Sequence, residues 1–303
     1  MKAIMFSGQG AQKVGMGKEF YDNFAICRKT FDEASEAFGM DMAKLCFEEK
    51  ELLNQTEYAQ PALLTVGMAA YRLLEEHGIK PDVLMGLSLG EYTALTASGA
   101  FNFADAVRLV HKRGKIMTQY AKEGGMLAAI GVDTDVLEDI CRKVTNDTGF
   151  VACANFNTPE QTVLAGEHAA LDACVPHIKA VGGKAMPLKV TGPFHTPLMA
   201  EAAEKFVLEL MRLSVKEPAR PIISNVDGEL FNIENYIDAL SRHMTSPVRW
   251  TQCVEKAKLM GVDTFIELGS GRTLVNFVKK IDGEAKTFAV ESIEDLEGLC
   301  ERT

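Results

Sequence analysis

The chain has 303 residues, 47% of them hydrophobic, which is enough to bury a large core in one or two globular domains. Acidic residues outnumber basic ones by 42 to 32, and the resulting net charge of -10 has the wrong sign for a protein that neutralises nucleic-acid phosphates. The seven cysteines form no C-x-x-C pair, which argues against a disulfide framework and a zinc site.

The first half of the chain alternates between predicted strands and helices. KAIMF predicts a strand that runs into a glycine-rich turn, and this early turn leaves no room for the apolar core of a signal peptide. No later run approaches the ~20 apolar residues of a membrane span, so we expect a cytoplasmic protein with no membrane partner. FAICRKTFDEASEAF predicts a helix that ends at Gly39, and Pro61 predicts the first turn of a helix that ends at Gly78.

The strand PDVLMG follows, and then two helical segments, LGEYTALTASGA and NFADAVRLVHKRGKIMTQYAKEGG. Strands that alternate with helices favour a mostly parallel sheet covered on both faces, which places the chain in the α/β class.

The middle of the chain has a different order of elements. Between about Gly125 and Thr191, the predicted order is β-α-β-β-α-β, which is the pattern of a ferredoxin-like unit. Predicted helices then alternate with the strands PIISNV and TFIELG up to a last helix, RTLVNFVKKI. We therefore predict a discontinuous α/β domain, residues 1–124 and 192–303, that carries an inserted small domain, residues 125–191.

The segment GLSLG places Ser88 between a predicted strand and a predicted helix. A serine at such a sharp turn is exposed above the sheet, and the turn needs glycine on either side, as at Gly86 and Gly90. The helix that follows directs its free N–H groups and its positive dipole end at whatever lies beside Ser88. Ser88 is thus a candidate nucleophile, and the alternative is a serine that only caps the helix.

A serine nucleophile needs a base, and histidine is the usual one. Four of the six histidines lie within or at the ends of predicted helices, where a structural role is favoured. His195 lies between Pro193 and Pro197, in a loop that is stiff enough to hold an imidazole in one pose. The alternative is a loop histidine that makes only local hydrogen bonds.

The N-terminal GQGAQKVG also resembles a dinucleotide-binding loop after a strand. That interpretation is disfavoured because Lys13 stands where the third glycine of G-x-G-x-x-G belongs.

Five segments taken together resemble one known family: FSGQGAQ, GLSLGEYTAL, RGKIM, GPFHTPLM and ELGSGRTL. In order and spacing they are similar to the malonyl-CoA:acyl carrier protein transacylases, an acyltransferase family of fatty acid and polyketide synthesis. The resemblance implies an α/β-hydrolase-like large domain with an inserted ferredoxin-like small domain. It also implies transfer of a malonyl group from malonyl-CoA to the phosphopantetheine thiol of acyl carrier protein, through a malonyl-serine, in fatty acid biosynthesis. A monomer without cofactor or metal, and without a nucleic-acid partner, is expected.

The resemblance also implies catalytic roles for particular residues. The family's nucleophile falls on Ser88 and its base on His195, whose imidazole is oriented by the backbone carbonyl of His243. Backbone N–H groups of Gln9 and Leu89 correspond to the oxyanion hole. Relatives often have glutamine at the position of His243, and a main-chain contact tolerates that change.

Further positions correspond to substrate-binding residues of the family. Arg113 corresponds to the arginine that holds the free malonyl carboxylate, for which a guanidinium fork suits better than a lysine point charge. Phe194 resembles the bulky residue that disfavours an α-methyl branch, and Asn155 and Asn157 match a segment that lines the cleft. Leu87 departs from the family, in which histidine is common. Exposed basic residues offer a docking rim for the acidic carrier protein, namely Lys184, Lys189, Arg272, Lys279 and Lys280.

Two other functions use the same residues differently. A serine hydrolase would pass the acyl group from Ser88 to water, and Arg113 is the residue that separates it from a malonyl transferase. A nucleotide-binding or CoA-binding module would have no chemical use for Ser88, so it predicts that Ser88→Ala leaves function intact.

Overall fold

The computed structural model describes residues 1–302 and contains two separate sheets with surrounding helices. The strands are β1 (Lys2–Phe6), β2 (Val83–Gly86), β3 (Gly125–Ile130), β4 (Val151–Thr158), β5 (Gln161–Gly166), β6 (Lys184–Pro187), β7 (Thr264–Leu268) and β8 (Lys286–Val290). The α-helices are α1 (Lys18–Asn23), α2 (Ala25–Phe38), α3 (Met42–Phe47), α4 (Lys50–Leu53), α5 (Thr56–Glu76), α6 (Leu89–Ala97), α7 (Phe103–Tyr120), α8 (Thr134–Asp147), α9 (His168–Ala180), α10 (Ala200–Leu210), α11 (Tyr236–Thr245), α12 (Trp250–Leu259), α13 (Thr273–Ile281) and α14 (Ile293–Cys300). Short 3-10 turns cover Pro197–Met199 and Ile233–Asn235.

The first sheet is parallel, with strand order β2-β1-β7-β8. Ile4 pairs with Leu84 on one side and with Ile266 on the other, so β1 is central. Side chains on the two faces of β1 belong to different apolar clusters. Ile4 belongs to a cluster that includes residues of α2, α5 and α7, whereas Met5 belongs to one that includes residues of α12 and α13. Continuous apolar strands such as these are typical of a sheet that is buried on both faces.

The second sheet is antiparallel, with strand order β4-β5-β3-β6. Helices α8 and α9 cover one face through a cluster that includes Leu137, Ile140 and Ile178. The order β-α-β-β-α-β matches the ferredoxin-like pattern, and the predicted fold class is confirmed. All elements of this unit lie between Gly125 and Pro187, and we retain division at residues 125 and 191 as a proposal.

One edge of the antiparallel sheet is bonded to the segment between α11 and α12. The backbone of Val248, which lies between α11 and α12, bridges β4 in parallel fashion. The Phe156 N–H donates to Val248 O at 2.8 Å, and the Val248 N–H donates to Ala154 O at 2.8 Å. These bonds hold β4 against the segment that leads into α12.

The prediction that Pro61 starts a helix is wrong, because α5 already begins at Thr56. A proline inside a helix leaves the carbonyl four residues earlier without its usual N–H donor. Here that carbonyl belongs to Glu57, and it lies 2.9 Å from Nδ1 of His111 on α7. A contact from a neighbouring helix thus replaces the missing bond, which the local sequence cannot reveal.

The predicted strand PIISNV is also shorter than expected. Ile222 and Ile223 form only isolated bridges, to Leu84 of β2 and to Leu230. Pro221 offers its carbonyl to the Leu84 N–H but has no N–H of its own to extend the pairing. Strand β8 and helix α14 were not predicted at all.

Within residues 1–302, no helix is both long enough and apolar enough to cross a membrane.

Candidate active site

Ser88 lies at the turn between β2 and α6, in a strained backbone conformation. Its φ of 52° and ψ of -104° place a non-glycine residue in the left-handed half of φ/ψ space. A Cβ atom at Gly86 would overlap the backbone of Gly90, and one at Gly90 would overlap the carbonyl of Phe6 on β1. The turn can therefore press against β1 only with glycine at both positions, and it lifts the Ser88 side chain above the carboxyl ends of the strands.

Asn225 holds this turn in place. Its Oδ1 accepts the Ser88 N–H at 2.7 Å, and its Nδ2 donates to Gly86 O at 2.8 Å. Its own N–H donates to Glu91 Oε2 at 2.7 Å. Asn225 was not predicted from the sequence, although a polar residue within the predicted strand PIISNV was a usable signal.

His195 faces Ser88 with one ring nitrogen and His243 with the other. Its Nε2 lies 2.9 Å from Ser88 Oγ, and its Nδ1 lies 2.9 Å from the carbonyl oxygen of His243. Because a carbonyl only accepts, Nδ1 carries the proton and Nε2 is left to accept the hydroxyl proton of Ser88. The backbone of His195 is also strained, with a φ of 62°, and Thr196 Oγ1 closes the loop onto Pro193 O at 2.7 Å.

The environment of His195 keeps its imidazole neutral. The pKa of His195 is lowered to about 3, mainly by burial and also by the neighbouring His243 and Arg113. Only 5% of the side chain is exposed. A neutral imidazole is the form that can take a proton from a serine hydroxyl.

Arg113 reaches the same point from α7. Its Nη1 donates to Gln60 Oε1 at 2.9 Å, and its Nη2 lies 3.4 Å from both Ser88 Oγ and His243 Nδ1. The guanidinium carbon lies 4.9 Å from the centre of the Tyr92 ring. Although the side chain is only 1% exposed, it forms no ion pair with a described carboxylate, and its Nε has no hydrogen-bond partner among those residues.

Gln9 and Leu89 are the residues predicted to supply backbone N–H groups, and Gln9 lines the same cleft as Ser88 while Leu89 follows Ser88 in the chain. Leu89 is the first residue of α6, and within residues 1–302 neither N–H donates a hydrogen bond to the protein. The Gln9 side chain is fixed by a bond from Nε2 to Thr56 Oγ1 at 3.0 Å. Backbone N–H groups without a partner are suited to stabilise an oxyanion.

The turn that carries Gln9 is tied to the loop after β7. Ser7 Oγ donates to Ser270 O at 3.0 Å and lies 3.3 Å from Glu267 Oε1, while Ser270 Oγ donates to Ala11 O at 2.7 Å. Burial raises the pKa of Glu267 to about 7, although Glu267 Oε2 accepts the Val275 N–H of α13 at 2.9 Å. The carboxyl ends of β1 and β7 thus fix the backbone around Gln9.

These groups open into one cleft of about 270 Å³ between the two sheets. Ser88, Arg113, His195 and Gln9 line it together with the predicted substrate-binding residues, namely Phe194, Asn155 and Asn157. Leu87 lines it as well, and its side chain adds apolar surface beside Ser88 where a histidine would add a polar group. The structure therefore brings Ser88, His195, Arg113 and the carbonyl of His243 within contact distance. It places Gln9, Phe194, Asn155 and Asn157 along the same cleft. Four further residues of the site were not predicted from the sequence, namely Gln60, Tyr92, Glu91 and Asn225.

The proposed basic rim is less uniform. Arg272 is held by Asp295 at 2.6 Å and by Glu291 at 3.8 Å, so its charge is already neutralised within the chain. The lysines of the rim, Lys184, Lys189, Lys279 and Lys280, are exposed and form no ion pair with the described residues.

The chain is similar to known proteins over nearly its whole length. The acyl transferase domain family matches residues 4–293. A malonyl CoA-acyl carrier protein transacylase of Bacillus subtilis is 41% identical over 300 residues, which are 97% of this chain and 95% of the relative. The crystal structure of the Clostridium perfringens enzyme of the same name has a TM-score of 0.96 and 43% identity, covering 99% of this chain and 96% of that one. A malonyl-transacylase solved in complex with its type II PKS acyl-carrier protein has a TM-score of 0.96 and 36% identity, covering 100% of this chain and 99% of that one. The chain belongs to the malonyl-CoA:acyl carrier protein transacylase family of acyltransferases.

Proposed function

We propose that this chain transfers a malonyl group from malonyl-CoA to the phosphopantetheine thiol of acyl carrier protein, through a malonyl-ester on Ser88, in fatty acid biosynthesis. One observation carries the proposal beyond a generic acyl transfer. The buried guanidinium of Arg113 has no carboxylate partner in the described chain and lies 3.4 Å from the Ser88 hydroxyl. A buried cation without a partner is costly, and an acyl group that brings its own carboxylate supplies one.

The first half-reaction begins at the thioester of malonyl-CoA. Ser88 Oγ attacks the thioester carbon while His195 Nε2 takes the hydroxyl proton. The N–H groups of Gln9 and Leu89 stabilise the oxyanion, and the His243 carbonyl stabilises the imidazolium through Nδ1–H. The C–S bond then breaks, and the imidazolium returns the proton to the CoA sulfur.

The second half-reaction reverses these steps with a new thiol. The phosphopantetheine thiol gives its proton to His195 Nε2 and attacks the malonyl-ester, and the imidazolium protonates the departing Ser88 oxygen. Each step uses groups of one chain and the two substrates alone, so we propose an active monomer that needs no cofactor. The acyl-carrier complex of a relative supports the choice of acceptor.

The apolar cleft favours transfer over hydrolysis. Phe194 is 5% exposed and lines the cleft with Leu87, Met117 and Met126. Apolar walls around an acyl-ester offer few partners for an attacking water, whereas a pantetheine arm can occupy the same space. A hydrolase remains the competing outcome for the assay.

The decisive assay uses labelled malonyl-CoA and measures which molecule receives the malonyl group. We expect malonyl transfer from labelled malonyl-CoA to the carrier protein, and an adduct of malonyl mass on the intact enzyme. Ser88→Ala removes the nucleophile, so we expect no adduct and a fall in transfer of about 10⁴-fold or more. Rapid release of free malonate with no loaded carrier, or a stable adduct on the alanine variant, contradicts the proposal.

Substituting Arg113 tests the choice of acyl group. Arg113→Ala removes a charge-assisted fork, so malonyl transfer should fall by about 100-fold while acetyl transfer changes far less. Arg108→Ala is the matched control, because Arg108 lies on the same helix with its side chain 52% exposed. Equal losses for the two acyl-CoAs contradict a carboxylate-binding role of Arg113.

A further inference from the structure

The imidazole of His243 lies between two buried groups of opposite charge. Its Nδ1 is 3.4 Å from Nη2 of Arg113, and its Nε2 is 3.3 Å from Oε2 of Glu91. Glu91 is 0% exposed, and His243 and Arg113 are each 1% exposed. The ring stands edge-on to Tyr92, at 5.7 Å and 88°, so its tilt is set by a neighbour. The side chain of His243 therefore has an environment separate from that of its backbone carbonyl.

The two neighbours fix the proton on this ring. A guanidinium only donates, so Nδ1 of His243 must be the acceptor toward Arg113. The proton then lies on Nε2, which faces the Glu91 carboxylate at ion-pair distance but is poorly aligned for a hydrogen bond. Glu91 Oε1 likewise has no hydrogen-bond partner among the described residues. The contact between Glu91 and Arg113 is thus made through a neutral ring.

A direct contact between the two charges would have a cost for the proposed reaction. Buried opposite charges attract strongly at short range, because little solvent screens them. If the Arg113 guanidinium moved into contact with Glu91, it would already have a carboxylate partner. It would then no longer lie in the cleft beside Ser88. The imidazole occupies the intervening space and leaves Arg113 unpaired.

We propose that the side chain of His243 is a positioning residue, which stands between Glu91 and Arg113 and so keeps the guanidinium free to bind the substrate carboxylate. This inference rests on the proposed role of Arg113 in malonyl transfer. It assigns His243 two separate tasks, since its carbonyl orients His195 and its ring positions Arg113. The first task needs no particular side chain, whereas the second needs one that fills this space and accepts from a guanidinium.

The test compares malonyl with acetyl transfer in a set of variants. His243→Ala opens the space, so we expect KM to rise about tenfold more for malonyl-CoA than for acetyl-CoA, because only the malonyl group needs the free guanidinium. His243→Asn keeps an acceptor near the position of Nδ1 and should retain most of the selectivity for malonyl. If the alanine variant is insoluble, His243→Ser removes the imidazole ring in the same way, and the same result is expected.

A double variant separates positioning from simple loss of packing. Glu91→Gln keeps an acceptor for the Asn225 N–H but removes the charge that would attract Arg113. In the His243→Ala background, Glu91→Gln should lower the raised KM for malonyl-CoA at least threefold. If His243→Ala had only damaged the packing, this second substitution would not lower the KM. Equal losses of malonyl and acetyl transfer in His243→Ala, or no recovery in the double variant, would overturn the inference. Failure of the wild-type protein to form a malonyl adduct would instead reject the proposed function.

Discussion

At the residue scale, the buried histidines His195 and His243 differ in their surroundings and in their proposed roles. His195 is fixed through both ring nitrogens, by Ser88 and by a backbone carbonyl. A carbonyl in place of the usual aspartate adds no negative charge, so nothing ionic favours the imidazolium, and burial dominates the pKa. His195 was found from two flanking prolines, but the neighbours that tune it come from α7 and α11 and have no local signal in the sequence.

The lowered pKa of His195 predicts how kcat/KM changes on the acid side of the pH profile. Below the folded-state pKa the imidazole is protonated and cannot accept the Ser88 proton, so kcat/KM falls as the pH falls through that value. With a pKa of about 3 rather than 6.5, we expect kcat/KM for malonyl-CoA to stay level from pH ~7.5 to ~5. Initial rates at constant ionic strength measure this.

Reassay at neutral pH after each incubation controls for acid unfolding. Unfolded His195 titrates at its ordinary pKa while the folded residue does not, so this group makes folding less favourable as the pH falls below about 6.5. A reversible acid limb near pH 6.5 contradicts the lowered pKa.

At the scale of elements, the turn between β2 and α6 depends on contacts that the sequence only partly reveals. GLSLG with an apolar strand before it and helix formers after it predicted this element correctly, because glycine spacing reports a local steric demand. PIISNV and Pro61 were misjudged because a partner strand and a neighbouring helix decide their structure. Local patterns specify turns and caps well, whereas pairing partners are properties of the fold.

Gly90→Ala should severely destabilise the protein. The added methyl would overlap the Phe6 carbonyl, and backbone atoms of a central strand cannot move aside cheaply. We expect a loss of unfolding free energy of at least about 3 kcal/mol, seen as a lower urea midpoint or as insoluble protein. Gly298→Ala is the control, since Gly298 lies in α14 with open space around it, and a gain of about 0.5–1 kcal/mol is expected there. Equal stabilities of the two variants would show that the turn does not need this glycine.

At the scale of the whole molecule, the cleft lies between a sheet that is held on both faces and a sheet held mainly at one edge. Strand β4 is bonded to Val248, and Thr251 Oγ1 adds a bond to Phe156 O at 3.2 Å. Strand β6, at the opposite edge, is four residues long and largely exposed, and among residues 1–302 it pairs only with β3. Beyond it, Leu188 and Val190 line the cleft, so the weakly held edge is also a wall of the site.

This asymmetry predicts different rates of amide hydrogen exchange along the antiparallel sheet. Exchange of a strand amide requires local opening, which is easier for β6 than for β4, because β4 is bonded on both sides at Phe156. In exchange measured by mass spectrometry, peptides from β6 should take up deuterium at least about tenfold faster than peptides from β4. Peptides from β5, which is paired on both sides along its length, provide the slow reference. Equal exchange of β4 and β6 would mean that Val248 does not anchor the sheet. Faster exchange of β6 than of β4 would mean that the flexible wall of the cleft lies beside Leu188, where a pantetheine arm needs room to enter. Asn155 and Asn157 would stay fixed on β4.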